Sequence, residues 1–295
     1  MKALLVVNEF LFTNKYSELA AWILEAAKKR NVDMRLVTNA EVLAVMGEKQ
    51  SVFSEDNKPD FVLFWDKDVR LCRYLEILGI PVFNSANAIE VCDDKSKTHL
   101  ALYEAGIPMP ETILAPMTYP NIGYGNYDFL TQVEERLGFP MVVKECFGSF
   151  GAQVYLVKDS EELLGKVKEI GTKPMLFQKF MKSSAGKDVR IQVVGNQVVT
   201  SMYRYSVNGD FRANITNGGH MKAYDPDEWE KDLAIRCVKA IGLDFAGVDL
   251  LFDENGKAIV CEVNSNAHFK NIFDCTGVNT AEHMIDYILD KVMTR

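Results

Sequence analysis

The chain has 295 residues, of which 48% are hydrophobic and 25% charged, and 41 acidic against 33 basic side chains give a formal net charge of −8. This is the composition of an ordinary folded protein and excludes a disordered or fibrous architecture. An acidic chain lacks the basic face with which proteins bind phosphate backbones, so we expect no nucleic-acid partner. An anionic small-molecule substrate is compatible with this composition, provided that basic side chains are concentrated at its binding site.

Cysteine usage and the N-terminus indicate the compartment. The six cysteines include no Cys-x-x-Cys pair, which argues against a structural zinc site and a disulfide framework and favours a reducing environment. The first apolar segment is too short for a signal peptide, and no segment approaches the roughly 20 apolar residues of a membrane span. We therefore expect a cytoplasmic protein without a membrane partner. The oligomeric state stays open, and a homo-oligomer is compatible with the sequence.

The first part of the chain alternates strands with helices. Strands are predicted at residues 3–7, 34–37, 61–65 and 81–84, and helices at 16–30 and 71–78. This alternation is typical of βαβ units around a parallel sheet and predicts a doubly wound α/β domain. A Rossmann oxidoreductase is improbable, because no glycine follows the first strand to bind a dinucleotide pyrophosphate.

From about residue 93 the pattern changes to α+β. Helices are predicted at residues 95–105, 227–241 and 280–292, an irregular loop at 116–127, and strands at 141–146, 154–157, 175–180, 189–194 and 197–205. A nucleotide site therefore need not lie on the N-terminal sheet.

A β-hairpin is predicted within residues 245–264, where an Asn-Gly dipeptide separates two apolar stretches. A two-residue turn pairs Phe252 with Ile259 and sets Asp249 directly opposite Glu262. Opposite residues project to the same face of the sheet. Asn264, two residues further along, joins the two carboxylates.

Two carboxylates opposite each other repel, so a positive charge must neutralise Asp249 and Glu262. Mg²⁺ (or Mn²⁺) does so with oxygen ligands, and Mg²⁺ typically uses one or two carboxylates together with substrate phosphates. The alternative is a solvated strand end with two unrelated acids. Because Asp249 interrupts an apolar stretch that is covered on both faces, we favour a metal site. Removal of one carboxylate is then expected to spare folding and to relieve repulsion.

A lysine and a glycine loop follow one of the buried strands. Lys144 ends the strand, and Gly148, Ser149 and Gly151 belong to the loop that leads into the next strand. Glycines let backbone N–H groups approach an oxyanion closely. The alternatives are an ordinary strand-end lysine and a plain hairpin turn.

Two further basic positions complete the candidate set. Lys95 follows Asp94 at the start of a helix, and Arg212 and Asn214 lie in a glycine-rich stretch. An arginine there can clamp a phosphate or a carboxylate. The alternatives are a helix N-cap with a solvated lysine and a loop with a surface arginine.

Taken together and in this order, these features resemble the ATP-grasp superfamily. Within it, the chain resembles the amino-acid ligases that add glutamate to the C-terminus of a ribosomal protein. The segments that carry the resemblance are residues 94–110, 142–157, 177–199, 204–219 and 247–264. The resemblance implies an ATP-grasp fold, with an N-terminal α/β domain (1–92) followed by a central lobe (93–180) and a C-terminal lobe (181–295) that hold ATP between them.

The resemblance also implies nucleotide contacts. They are phosphate contacts by Lys95 and Lys144, a lid formed by residues 148–151, backbone hydrogen bonds to adenine from Lys179 and Phe180, a nucleotide contact by Asp188, and a triplet near the phosphates formed by Arg212, Ala213 and Asn214. Asp249, Glu262 and Asn264 match the Mg²⁺ ligands. Arg190 and Arg204 match basic positions whose roles stay undivided between ATP and substrate, and Arg204 and Arg212 are the candidate catalytic residues.

Two departures from the family concern adenine and the substrate. Lys179 stands where the family usually has Glu, a change that backbone contacts survive. After the Glu262–Asn264 motif many relatives read Ser-Ser-Pro-Gly, whereas residues 265–269 read Ser-Asn-Ala-His-Phe. The acid or amine substrate is therefore expected to differ from those best known in the family. Of the four histidines, His268 is the one candidate beside the metal strand.

The activity that the resemblance implies is an ATP-dependent carboxylate–amine ligase. It forms an amide or peptide bond through an acyl phosphate, from a small-molecule or peptide carboxylate and an amino-acid amine such as glutamate. The alternative is a nucleotide-binding regulatory or scaffold protein that keeps the fold without ligase activity. The intact set of Asp249, Glu262 and Asn264 favours the enzyme.

Overall fold

The computed structural model describes residues 1–11, 14–47, 53–54, 57–149, 151–213 and 218–294. Three sheets form in these segments. Asn214 lies outside the described residues. Within these ranges, no helix combines the length and the apolar character needed to cross a bilayer.

The first sheet is parallel, as predicted. Its strands are β1 (Lys2–Val7), β2 (Asp33–Thr38), β3 (Phe61–Phe64) and β4 (Val82–Phe83), in the order β2-β1-β3-β4. The accompanying helices are α1 (Asn14–Lys29), α2 (Val69–Ile77) and α3 (Ala86–Asp93). Helix α3 was not predicted; the Ser85 side chain caps it by accepting a hydrogen bond from Ala88 N.

The second sheet is antiparallel and lies within residues 112–179. Its strands are β5 (Thr112–Leu114), β6 (Met141–Glu145), β7 (Val154–Val157) and β8 (Met175–Lys179), in the order β5-β8-β6-β7. The helices of this region are α4 (Lys95–Glu104), α5 (Phe129–Leu137) and α6 (Ser160–Ile170). Strand β5 and helices α5 and α6 were not predicted. In α6 the available signal was the helical spacing of its buried residues Leu163, Val167 and Ile170.

The third sheet is also antiparallel, with the order β11-β10-β9-β12-β13. Its strands are β9 (Lys187–Val194), β10 (Gln197–Tyr205), β11 (His220–Ala223), β12 (Phe245–Phe252) and β13 (Ala258–Asn264). The helices of this region are α7 (Glu228–Ile241), α8 (Lys270–Thr276) and α9 (Thr280–Met293). Strand β11 and helix α8 were not predicted.

The hairpin β12–β13 forms where predicted, but its turn differs. Phe252 pairs with Ala258, so the predicted pairing with Ile259 is wrong. The Asp253 side chain accepts hydrogen bonds from Asn255 N at 2.9 Å and Lys257 N at 2.8 Å, and Gly256 adopts φ +77°. This organises a three-residue loop with glycine at the left-handed position.

A β-bulge restores the predicted pairing of the carboxylates. The register shifts between Asp249 and Leu250, so that Leu250 pairs with Val260 while Asp249 pairs with Glu262. Cys261 is the additional residue on β13. A bulge places two residues of one strand opposite one residue of its partner. Asp249 and Glu262 therefore face each other for a reason other than the one predicted.

Helices from the end of the described chain share a core with the first sheet. Leu5 and Leu63 of that sheet and Ile23 of α1 belong to the same buried cluster as Met284 and Ile285 of α9. The predicted boundaries at residues 92 and 180 stay predictions.

Candidate active site

A cavity of about 240 Å³ is lined by nearly all of the predicted site residues. Its walls come from β6–β8, from β9, β10, β12 and β13, and from residues that follow β3 or end α3. The predicted residues that line it are Lys95, Lys144, Gly148, Ser149, Gly151, Lys179, Phe180, Asp188, Arg190, Arg204, Arg212, Ala213, Asp249, Glu262 and Asn264, and His268 lines it as well. Elements from all three sheets thus meet at one place.

Lys144 is a buried cation on β6, and only 6% of its surface is exposed. The one polar contact that its Nζ makes in the described chain is with Cys261 Sγ, at 3.9 Å. No carboxylate of the described residues lies within 4.0 Å of that nitrogen. A buried ammonium without a counterion is costly. This burial argues against the alternative of an ordinary strand-end lysine, and the residue is suited to bind an anion.

Lys95 is buried at the start of α4, beside the glycine loop. The Asp94 side chain caps the helix, as the alternative reading expected. The other half of that reading, a solvated lysine, is wrong: Lys95 Nζ lies 3.2 Å from Gly148 O and 3.7 Å from Glu262 Oε1. Lys95 thus connects the glycine loop to β13.

Arg212 holds the other end of the same loop. Its Nη1 donates to Gly151 O at 2.9 Å, while Nη2 is paired with Asp210 at 2.9 Å. The loop carbonyls of residues 148 and 151 are thus each bound by a cation. An anionic ligand between these cations would compete with the loop for them.

Two arginines supply positive charge to Asp249. Only 5% of its surface is exposed, and Arg190 donates to it from Nε at 2.7 Å and from Nη2 at 2.6 Å. Arg204 Nη2 lies 3.0 Å from Asp249 Oδ2. The Arg204 guanidinium also forms a bidentate ion pair with Asp188 through Nε and Nη2. Burial opposes ionisation of Asp249, but Arg190 and then Arg204 hold the pKa of its carboxyl below the usual value.

The positive charge that the sequence requires beside Asp249 is thus present in arginine side chains, and a metal ion at the carboxylate pair stays a prediction. Arg190 lies there because β12 also pairs with β9, which sets Arg190 opposite Asp249. The hairpin sequence predicts only the pairing of β12 with β13. Glu262 has a separate neighbour in Lys95.

The oxygen set of Asp249, Glu262 and Asn264 still fits a hard divalent cation, which prefers carboxylate and amide oxygens. Asn264 Nδ2 is buried and has no hydrogen-bond partner among the described residues. The described residues contain no group of three or more His, Cys, Asp and Glu side chains arranged around a metal position.

His99 and Gln178 support Lys95 and were not predicted. His99 Nδ1 donates to Lys95 O at 2.7 Å, and Nε2 accepts from Gln178 Nε2 at 3.0 Å. Burial, followed by the charge of Lys144, lowers the pKa of His99 to about 4. The ring is therefore neutral at pH 7. The available signal was the helical spacing of four residues between Lys95 and His99.

The cavity is positive although the chain is acidic. Eight basic side chains line it: Lys67, Lys95, Lys144, Lys179, Lys187, Arg190, Arg204 and Arg212. Four acidic ones do so: Asp93, Asp188, Asp249 and Glu262. A concave surface with excess positive charge attracts anionic ligands. Lys67 was not among the predicted residues.

Comparisons with known proteins agree with this arrangement. The family model of the RimK-like ATP-grasp domain matches residues 92–288. The chain is 35% identical to N-acetylaspartylglutamate synthase A of Homo sapiens over 78% of this chain and 58% of that protein. It is 33% identical to a probable alpha-L-glutamate ligase of Haemophilus influenzae over 73% of this chain and 69% of that protein. The chain thus spans little more than half the length of the human protein.

Among solved structures, a RimK domain ATP-grasp protein from Sphaerobacter thermophilus matches with a TM-score of 0.74 at 21% identity. The match covers 97% of this chain and 99% of that one. The ATP-grasp fold expected from the sequence is therefore confirmed.

Proposed function

The chain belongs to the RimK-like ATP-grasp family of ATP-dependent carboxylate–amine ligases, and we propose that it joins a carboxylate to the amine of glutamate or a similar amino acid. The names of both relatives contain glutamate. The acid partner is a small molecule or the end of a peptide. A cytoplasmic location stays a prediction.

The observation that carries the proposal is the buried ammonium of Lys144, which has no carboxylate partner in the described chain. Lys95 and Arg212, which contact carbonyls of the glycine loop, line the same cavity as Lys144. This arrangement suits the phosphates of ATP. Lys179 and Phe180, at the end of β8, line the same cavity and are the proposed adenine contacts.

The reaction follows from these groups. A carboxylate oxygen of the acid attacks the γ-phosphorus of ATP and ADP leaves, which gives an acyl phosphate. The amine attacks the acyl carbon and expels phosphate, and it loses one proton as the amide forms. Lys95, Lys144 and Arg212 neutralise the charge spread over the transferring phosphoryl group. Mg²⁺ held by Asp249, Glu262 and Asn264 would add to that neutralisation.

The glycine loop has a role in protecting the acyl phosphate, which water would destroy. Gly148, Ser149 and Gly151 lie between β6 and β7, beside Lys95 and Arg212. Closure of this loop over the reacting groups would exclude water from them.

The ATP site is tested by Lys144→Met and thermal melting. Wild-type protein should melt several degrees higher with millimolar Mg-ATP, because a ligand stabilises the state that it binds. The variant should melt at the same or a higher temperature without ligand, since it loses an unpaired buried charge, and should lose most of the ATP-dependent shift. Lys173→Met, at an exposed lysine outside the cavity, should keep the shift. A full shift in Lys144→Met would refute the assignment.

Ligase activity is tested with Mg-ATP, glutamate and a panel of acids: N-acetylaspartate, citrate and a peptide with a C-terminal glutamate. Mass spectrometry should find one amide formed in step with ADP. If ATP binds but neither these acids nor a cell extract yields ADP and an amide, the regulatory or scaffold alternative holds.

A further inference from the structure

The first sheet opens into the cavity at a position where parallel sheets bind ligands. Ligands of open parallel sheets bind outside the carboxyl ends of the strands, at the point where the strand order reverses. Here β2 lies on one side of β1 and β3 on the other, so that point lies between β1 and β3. Leu11 follows β1, Trp65 and Lys67 follow β3, and all three line the cavity.

Lys67 is the cation at this position. Its Nζ forms an ion pair with Asp93, at the end of α3, and lies 3.5 Å from Ser149 Oγ of the glycine loop. It therefore lies on the side of the loop that faces the first sheet, whereas Lys95 and Arg212 bind the loop's backbone. The side chain of Lys67 is 42% exposed, and an exposed ion pair contributes little to stability. A ligand carboxylate can therefore replace Asp93 at low cost.

The turn that departs from the family's usual sequence adjoins Lys67. Asn266 Nδ2 donates to the carbonyl of Asp66 at 3.1 Å, which fixes the turn against the residue before Lys67. His268 and Asn271 follow this turn and line the cavity. This part of the cavity wall thus combines polar side chains with one cation whose carboxylate partner a ligand can replace.

We propose that Lys67 binds a substrate carboxylate in a subsite between the carboxyl end of β3 and the turn at residues 265–269. This carboxylate is not the one that ATP phosphorylates. This inference rests on the proposed ligase function. The carboxylate belongs either to the amino-acid amine, as its α-carboxylate, or to the acid substrate, as its second carboxylate. Both sources present the same chemistry to Lys67.

The variant Lys67→Met tests the subsite, with Lys97→Met as its matched control. Lys97 also pairs with one carboxylate, that of Glu90, its side chain is 45% exposed, and it does not line the cavity. In Lys67→Met the KM of one carboxylate substrate should rise at least about tenfold, because a charge-assisted hydrogen bond is lost. The KM for ATP should change less than about twofold. Lys67→Arg should restore much of the loss.

The substrate whose KM rises distinguishes the two sources. A higher KM for glutamate shows that Lys67 binds the α-carboxylate of the amine substrate, and a higher KM for the acid shows that Lys67 binds the second carboxylate of the acid. Unchanged values for both would overturn the inference and leave the ligase function intact.

A binding measurement keeps the inference separate from ligase activity. Melting of the full chain is followed in Mg-ADP, with and without glutamate, N-acetylaspartate or citrate. An additional shift in wild type and Lys97→Met that is absent from Lys67→Met supports the subsite, even if no amide is detected. An equal shift in Lys67→Met, or no shift with any of the three in wild type, overturns it. Loss of the shift with Mg-ADP alone would instead contradict the nucleotide site.

Discussion

Asp249 and Glu262 face each other but differ in their neighbours, so their amide variants should differ in stability. In Asp249→Asn, Arg190 loses the one carboxylate partner that it has in the described chain, and Arg204 keeps only Asp188. Breaking a buried ion pair in this way should lower the free energy of unfolding by about 3 kcal/mol. The Glu262 side chain is 33% exposed, and its one ion-pair partner in the described chain is Lys95, at 3.7 Å. Glu262→Gln should therefore cost less than about 1 kcal/mol. Urea unfolding measures both.

Both variants should lose most ligase activity at saturating ATP, because each lacks one proposed metal ligand. Only Asp249→Asn should also lose stability. An Asp249→Asn protein as stable as wild type would show that the arginines do not depend on this carboxylate. This outcome would instead agree with the repulsion between Asp249 and Glu262 that the sequence predicts.

The positions of the cavity residues were predictable, but most of their partners were not. Lys95, Lys144 and Glu262 stand in short motifs whose order along the chain indicated one site. The pairing of Arg190 with Asp249 requires β9 to lie beside β12, and 59 residues separate the two side chains. A contact between distant strands leaves no periodic signal in the sequence.

The hairpin β12–β13 shows how a local rule can give the correct pair by an incorrect route. The Asn-Gly dipeptide favours a two-residue turn, but the Asp253 side chain stabilises a longer one. The bulge at Cys261 then compensates for the extra residue. Leu250 and Val260 on one side of the bulge belong to the core, whereas Asp249 and Glu262 on the other side line the cavity. The bulge thus allows the hairpin to contribute residues to both the core and the cavity. The turn sequence alone does not predict this bulge.

The geometry of the glycine loop should be needed for turnover. Gly148 has φ +142°, and an added Cβ would lie 2.2 Å from Gln153 Oε1. Gly148→Ala should therefore strain the loop backbone, at a cost in free energy on the order of 1–3 kcal/mol. The carbonyl that Lys95 binds would move with it. We expect kcat to fall about tenfold, the factor that 1.4 kcal/mol represents.

Gly165→Ala is the matched control for this loop variant. Gly165 lies in α6, and an added Cβ there meets nothing within 4 Å. Alanine in a helix is more stable than glycine by about 1 kcal/mol, so the control should unfold at a higher urea concentration with normal kcat. A Gly148→Ala enzyme with normal turnover would exclude a role for the loop's backbone geometry.

The three sheets suggest three lobes, yet the packing joins the first lobe to the last. Ile23 in α1 and Leu5 in β1 share a buried cluster with Met284, Ile285 and Ile288 of α9. Ion pairs add to this contact: Lys29 with Glu282 at 3.0 Å, and Arg30 with Asp286. Sequence periodicity identified both helices but not their contact, because amphipathic faces do not specify which partner covers them.

The shared core predicts that the first sheet unfolds together with α9. Ile285 is fully buried, and Ile285→Ala should lower the free energy of unfolding by about 2–5 kcal/mol through the lost contacts and the cavity left behind. Met293→Ala, on the same helix but exposed, should change it by less than about 0.5 kcal/mol. Calorimetry should show one transition for the first sheet and α9, shifted as a whole in Ile285→Ala. Hydrogen exchange of the β1 and β3 amides should accelerate in that variant alone. A first sheet that keeps wild-type protection in Ile285→Ala would show that residues 1–92 fold independently, as the predicted domain boundary implies.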